Sequence, residues 1–154
     1  MPPAPDTERQ PTELHLAFSA SPSAIRDNLA RMMAAMPLSG LSDTGRSSAE
    51  LVLAEVLNNI AEHAYADQVG PVTVMVRDGA QGIDCLVVDQ GAPMPGGTLP
   101  DGSRSGRTGL ALADLPEGGF GWHLIRTLTR NLAYRRIAGA NRLSFLLPRD
   151  AELP

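Results

Sequence analysis

The stretch Glu55-Val56-Leu57-Asn58-Asn59-Ile60-Ala61-Glu62-His63-Ala64-Tyr65 decides the fold. It belongs to a longer segment, from about Gly45 to Ala64, in which Leu53, Leu57, Ile60 and Ala64 recur at i, i+4, i+7 and i+11. At about 3.6 residues per turn these four share one face, so the segment reads as a long amphipathic helix. The opposite side carries Glu55, Asn59, Glu62 and His63. Glu55 and Asn59 lie one turn apart and project together. A carboxylate and a carboxamide so placed suit a hard cation such as Mg²⁺, which takes oxygen ligands and borrows others from substrate phosphates. A plain solvated helix face is the alternative.

Two more segments belong with this helix. Ile83–Val88 reads as a strand that stops at Asp89-Gln90-Gly91-Ala92-Pro93. A carboxylate at a strand end can accept a hydrogen bond from an exocyclic amine such as that of adenine. Gly91 would let the backbone approach a flat ring. A simple strand-ending turn would look the same. Further on, Gly118-Gly119-Phe120-Gly121 opens a helix predicted to run to about Asn131. Exposed N–H groups and the helix dipole make an anion site there, and missing Cβ atoms admit phosphates. Alone, a Gly-rich turn is weak evidence.

The remaining chain supplies a frame. Leu14, Leu16 and Phe18 alternate as in a strand, and Ser21-Pro22 starts a helix to about Met36. That helix is expected to send Ile25, Leu29, Met32, Met33 and Met36 into a core, with a partner surface as the second reading for the methionines. Val72, Val74 and Val76 mark a strand joined to Ile83–Val88 by a turn at residues 78–82. Residues 92–117 lack periodicity and read as a lid. Leu132–Ile137 and Arg142–Leu147 form a closing hairpin around Gly139-Ala140-Asn141. Paired strands adjacent in sequence predict a mixed or mostly antiparallel sheet with helices on one face. The fold class is therefore α/β (α+β), a two-layer sandwich. Residues 1–12 read as a disordered tail and 13–149 as one domain.

Composition removes several function classes. The chain has 154 residues, 43% apolar and 19% charged, with a net charge of −4. No basic run occurs, which argues against direct nucleic-acid binding. All 13 basic residues are Arg, so no mechanism can use a lysine, and the P-loop motif is absent. Cys85 is the single cysteine and reads as a small core residue. No segment approaches the ~20 apolar residues of a membrane span, and the first residues do not resemble a signal peptide. A soluble cytoplasmic protein is expected.

The order of the three segments matches the N, G1 and G2 boxes of the GHKL (Bergerat) ATP-binding fold. Glu-(x)3-Asn-(x)3-His-Ala-Tyr and the string Pro116 to Ile125 most resemble the RsbW and SpoIIAB anti-sigma factor serine kinases. The resemblance covers about residues 12–148. It implies that Glu55 is the general base, that Asn59 is the Mg²⁺ ligand, and that His63 lies near the phosphates or holds the helix end. It implies that Asp89 reads adenine from the Asp89-x-Gly91-x-Pro93 box, with Gly91 beneath the ring. Gly119 and Gly121 would face the phosphates, and Gly118 would ease the lid hinge. Arg104 and Arg107 in the lid are either phosphate contacts or ordinary solvated charges.

The chain departs from the family pattern in two places. Asn141-Arg142 stand where many relatives have a Thr-Thr pair, with Ser144 two residues on, and Asn141 is a candidate substitute for the adenine-holding hydroxyl. Trp122-His123 follow the glycines, read as core and surface respectively.

The implied cofactors are ATP and Mg²⁺. The implied partners are a sigma factor, a STAS-domain anti-anti-sigma protein and a second copy in a homodimer. A non-catalytic, nucleotide-gated binding module is the alternative. A detached sensor-kinase domain would need a phosphoacceptor helix pair, and a gyrase-type clamp would need transducer domains; the sequence offers neither.

Overall fold

The computed structural model describes residues 12–66, 68–101 and 119–150. Five strands form one sheet in the order β1-β2-β3-β5-β4, with every neighbouring pair antiparallel. They are β1 (Glu13–Ser19), β2 (Pro71–Asp78), β3 (Ile83–Asp89), β4 (Arg130–Ile137) and β5 (Ala140–Leu147). The helices are α1 (Pro22–Ala34), α2 (Asp43–Asn59) and α3 (Gly119–Leu128). The α+β sandwich is as expected, and its sheet is antiparallel throughout. Among the described residues no helix is long and apolar enough to cross a membrane.

Strand alternation builds the core. Cross-strand register aligns Leu16, Val74, Val87, Leu143 and Tyr134 in one row. The next row holds Leu14, Val76, Cys85 and Phe145. Because side chains alternate faces along a strand, these rows point the same way. They meet Ile25 and Met32 of α1, Val52, Leu53, Val56 and Leu57 of α2, and Ile125 of α3. On the other face Thr73, Arg77, Asp84 and Arg142 are exposed. Burial pushes the Cys85 thiol well up, reinforced by the nearby Asp84 charge, so it stays a neutral core residue.

Several boundaries differ from the sequence expectation. Helix α1 stops at Ala34, with Ala35 extended, and Met36 is 54% exposed. A residue before proline is steered away from helical geometry, and Pro37 follows Met36. Helix α2 starts at the Ser42 cap, whose hydroxyl accepts the Gly45 N–H at 3.1 Å. It is α-helical only to Asn59; Ile60–Ala64 form a π turn, closed by Tyr65 N–H donating to Ile60 O at 3.0 Å. Helix α3 ends at Leu128 and not near Asn131, which has φ 56°. Strand β5 begins at Ala140, so Asn141 lies in the strand and Gly139 alone carries the positive-φ glycine of the turn. Thr12, placed in the tail from sequence, accepts the Asp78 N–H at 2.9 Å. Residues 1–11, most of the expected lid (102–117) and Gly118 lie outside the described residues.

Candidate functional site

The ends of α2 and β3 face the start of α3 across a cavity of about 600 Å³. That size suits a small-molecule ligand. Val56, Ile60 and Ala64 line it from α2 and the π turn, Trp122 from α3, and Tyr134, Asn141 and Leu143 from the closing hairpin. Asn59, His63, Asp89 and Pro93 are also in its wall. Most of the wall is apolar, with a few polar groups at fixed points.

At one end Asn59 is in the wall, with Glu55 and Gly121 beside it. A Cβ on Gly121 would fall 2.6 Å from Glu55 Oε2 and 3.8 Å from Asn59 Nδ2. The two side chains thus converge on the first turn of α3, as their i, i+4 spacing on α2 requires. Asn59 is 7% exposed, and its Nδ2 is buried without a hydrogen-bond partner among the described residues. An unpaired buried amide is costly unless a ligand completes it. Among the described residues no three His, Cys, Asp or Glu side chains gather into a metal cage. The oxygens of Asn59 and Glu55 still fit Mg²⁺, which needs only one or two protein ligands when phosphates supply the rest. His63, by contrast, is exposed, 3.9 Å from Glu62. The π turn shifts it out of the register that continues Glu55 and Asn59.

The other end is organised by Asp89. It is 5% exposed and pairs in register with Asn141, on the helix-facing side of the sheet. Its Oδ1 accepts the Gly91 N–H at 2.9 Å and Asn141 Nδ2 at 2.8 Å. Its Oδ2 accepts no hydrogen bond among the described residues. Asn141 Nδ2 also donates to Ala92 O at 2.9 Å and, more weakly, to Gly91 O at 3.4 Å. Asn141 Oδ1 accepts from Tyr134 Oη at 2.6 Å and Arg136 Nη1 at 3.0 Å. The Asn141 amide, read from the sequence as a candidate to hold adenine, is thus engaged on both its oxygen and its nitrogen by protein groups.

Gly91 has a physical reason that the sequence did not show. A Cβ there would lie 2.5 Å from Ala64 O, so the glycine admits the end of the π turn. Ala92 N–H donates to the same Ala64 O at 2.8 Å. Tyr65 completes the junction: its Oη donates to Pro71 O at 2.5 Å and accepts the Gln90 N–H at 2.8 Å. Burial raises the Tyr65 phenol above its ordinary value; the Gln90 N–H opposes this and the Asp89 charge adds to it.

Three contributors were not recognised as site residues from sequence: Tyr65, Tyr134 and Arg136. Tyr134 carried a faint signal, since an inward aromatic with a polar tip usually finds a buried partner. Trp122 is core as expected, 4% exposed, and also walls the cavity, while His123 is exposed. Gly119 opens α3. Gly118, Arg104 and Arg107 fall outside the described residues.

Comparison with known proteins agrees with this fold. Residues 18–146 match the family model described as histidine kinase-like ATPase domain. A serine-protein kinase RsbW of Bacillus mycoides (strain KBAB4) is 29% identical over 79 residues, which span 51% of this chain and 49% of that protein. A crystal structure of the RsbU and RsbW domains of Rv1364c from Mycobacterium tuberculosis superposes with a TM-score of 0.58. It covers 93% of this chain and 34% of that one at 18% identity, a likeness of fold.

Proposed function

Because the chain belongs to the histidine kinase-like ATPase domain family, we propose that it is a serine-protein kinase and anti-sigma factor that binds Mg-ATP in this cavity. Its protein substrate is a STAS-domain anti-anti-sigma protein, and its other partner is a sigma factor. The observation that carries the reading is the meeting of Glu55, the unpartnered buried amide of Asn59, and Gly121 at the head of α3. Asp89 receives the adenine amine, Gly91 and Pro93 border the base, and Gly119 and Gly121 at the head of α3 admit the phosphates. Asn59 holds Mg²⁺, which when bound neutralises charge on the phosphoryl oxygens. Glu55 accepts the proton of the substrate serine as its Oγ bonds to the γ-phosphorus. The bond from that phosphorus to the β–γ bridging oxygen breaks, and ADP leaves. Catalysis of this kind needs the carboxylate within hydrogen-bond reach of the hydroxyl.

Phosphorylation adds a charge of about −2 to the STAS surface and breaks its packed contact, leaving the kinase free to hold sigma. The protein works in the cytoplasm as a homodimer. Similarity to a protein named as a serine-protein kinase supports transfer over nucleotide-gated binding alone. The test is transfer of γ-labelled phosphate from Mg-ATP to purified STAS proteins, with Glu55→Ala alongside. Label on a STAS serine, lost in the variant while ATP still binds, is expected. Transfer that survives in Glu55→Ala overturns the general-base role, and ATP binding without transfer to any STAS protein leaves the binding module.

A further inference from the structure

The closing hairpin reaches across the sheet edge to the loop after β3 with three side chains, Tyr134, Arg136 and Asn141. Their hydrogen bonds have a fixed polarity. The Met94 N–H donates to Tyr134 Oη at 3.0 Å, so the phenol proton is directed to Asn141 Oδ1. Arg136 possesses donors only, and its Nη1 serves both Asn141 Oδ1 and Gly91 O, the latter at 2.6 Å. Two donors on one side of the Asn141 amide and acceptors on the other leave it one orientation. The NH₂ group must face Asp89 Oδ1. That oxygen then holds two donors, and Oδ2 is the single acceptor left to meet a ligand.

We propose that Tyr134, Arg136 and Asn141 are positioning residues that fix Asp89 as a one-acceptor reader of the purine 6-position. The same three side chains bond Gly91, Ala92 and Met94, so base selection and the path of the loop after β3 are set together. The proposal rests on the reading of the cavity as a nucleotide site. An exocyclic amine donates to Oδ2; a 6-oxo group places oxygen against oxygen. Sites that hydrogen-bond a substrate group discriminate strongly against an analogue with the wrong polarity.

Replacing Asp89 by Asn gives a sharp consequence. The Gly91 N–H and Asn141 Nδ2 demand an acceptor at the Oδ1 position, so the new NH₂ must occupy the Oδ2 position. The site then presents a donor, and its preference should reverse to a 6-oxo purine. The experiment is calorimetric titration of the full chain with Mg-ATP and Mg-ITP, for the parent, Asp89→Asn and Tyr134→Phe, together with amide hydrogen exchange of the free proteins. The parent should favour ATP by roughly tenfold or more, and Asp89→Asn should favour ITP. Tyr134→Phe should shrink the parent ratio several-fold and speed exchange of the Met94 amide, with the unfolding temperature little changed. Tyr134→Phe carries the test alone if Asp89→Asn does not fold. Retained ATP preference in Asp89→Asn, or an unchanged ratio and unchanged Met94 exchange in Tyr134→Phe, overturns the proposal. A parent that binds neither nucleotide refutes the ATP reading instead, and the exchange of Met94 still decides whether Tyr134 positions the loop.

Discussion

Gly121→Ala should separate chemistry from folding and from binding. The added Cβ would lie 2.6 Å from Glu55 Oε2, while ordinary contact starts near 3.4 Å, so the carboxylate must retreat by about 0.8 Å. It can do so, because it is the free end of a flexible side chain. Asn59 Nδ2, at 3.8 Å, need not move. A misplacement of 1 Å costs on the order of a hundredfold in rate, so transfer should fall roughly 40-fold. Stability should move the other way. Alanine in place of glycine in a helix contributes about 0.5–1 kcal/mol. For a domain of this size that is roughly 2–4 °C in Tm at the upper end, partly offset by the displaced side chain. The assay is single-turnover transfer to the STAS substrate, with ATP affinity and thermal unfolding measured on the same preparation. A slow enzyme with parental ATP affinity and an equal or higher Tm supports the geometry. Parental transfer rates would show that the Glu55 carboxylate is not where the chemistry takes place.

Gly91→Ala meets backbone, at 2.5 Å from Ala64 O, so nothing flexible can yield; we expect destabilisation of about 1–3 kcal/mol, read as a lowered midpoint in urea. Asn59→Ala removes an unpartnered buried Nδ2 and should barely change the melting temperature while weakening Mg-ATP binding roughly tenfold or more, measured by calorimetry. The raised Tyr65 phenol makes stability pH-dependent: its contribution is full below the ordinary value of 10.0 and is lost as pH rises toward the folded value. Melting temperature should therefore decline above pH ~10, and more shallowly in Tyr65→Phe.

The sequence announced the parts of this site better than their connections. Glu55 and Asn59 were legible because i, i+4 spacing on a helix is a local property. Asp89 was legible for the same reason, as a carboxylate at a strand end. The bond from Asn141 to Asp89 was not legible, because it comes from the β3–β5 register, which joins residues 52 positions apart. Tyr134 and Arg136 were hidden by the same non-local pairing. Gly91 was credited with room for a ring, and its close approach to Ala64 was not legible. Met36 fitted a helical period that Pro37 had already ended.

The π turn at Ile60–Ala64 makes the site depend on chain length. Such a turn accommodates one more residue than the α-helix it interrupts. Deleting Ala61 would close it as an ordinary helix with the Tyr65 N–H still on Ile60 O, whereas one further inserted residue would exceed what the turn absorbs and rotate His63, Ala64 and Tyr65 by about 100° around the axis. Ala64 O would leave the Ala92 N–H, and the Tyr65 phenol would swing away from Pro71 and Gln90. Glu55 and Asn59, upstream, would stay in place. A one-residue insertion at this point would therefore uncouple the base-reading half of the cavity from the phosphoryl half, although no chemical group of either half had been altered.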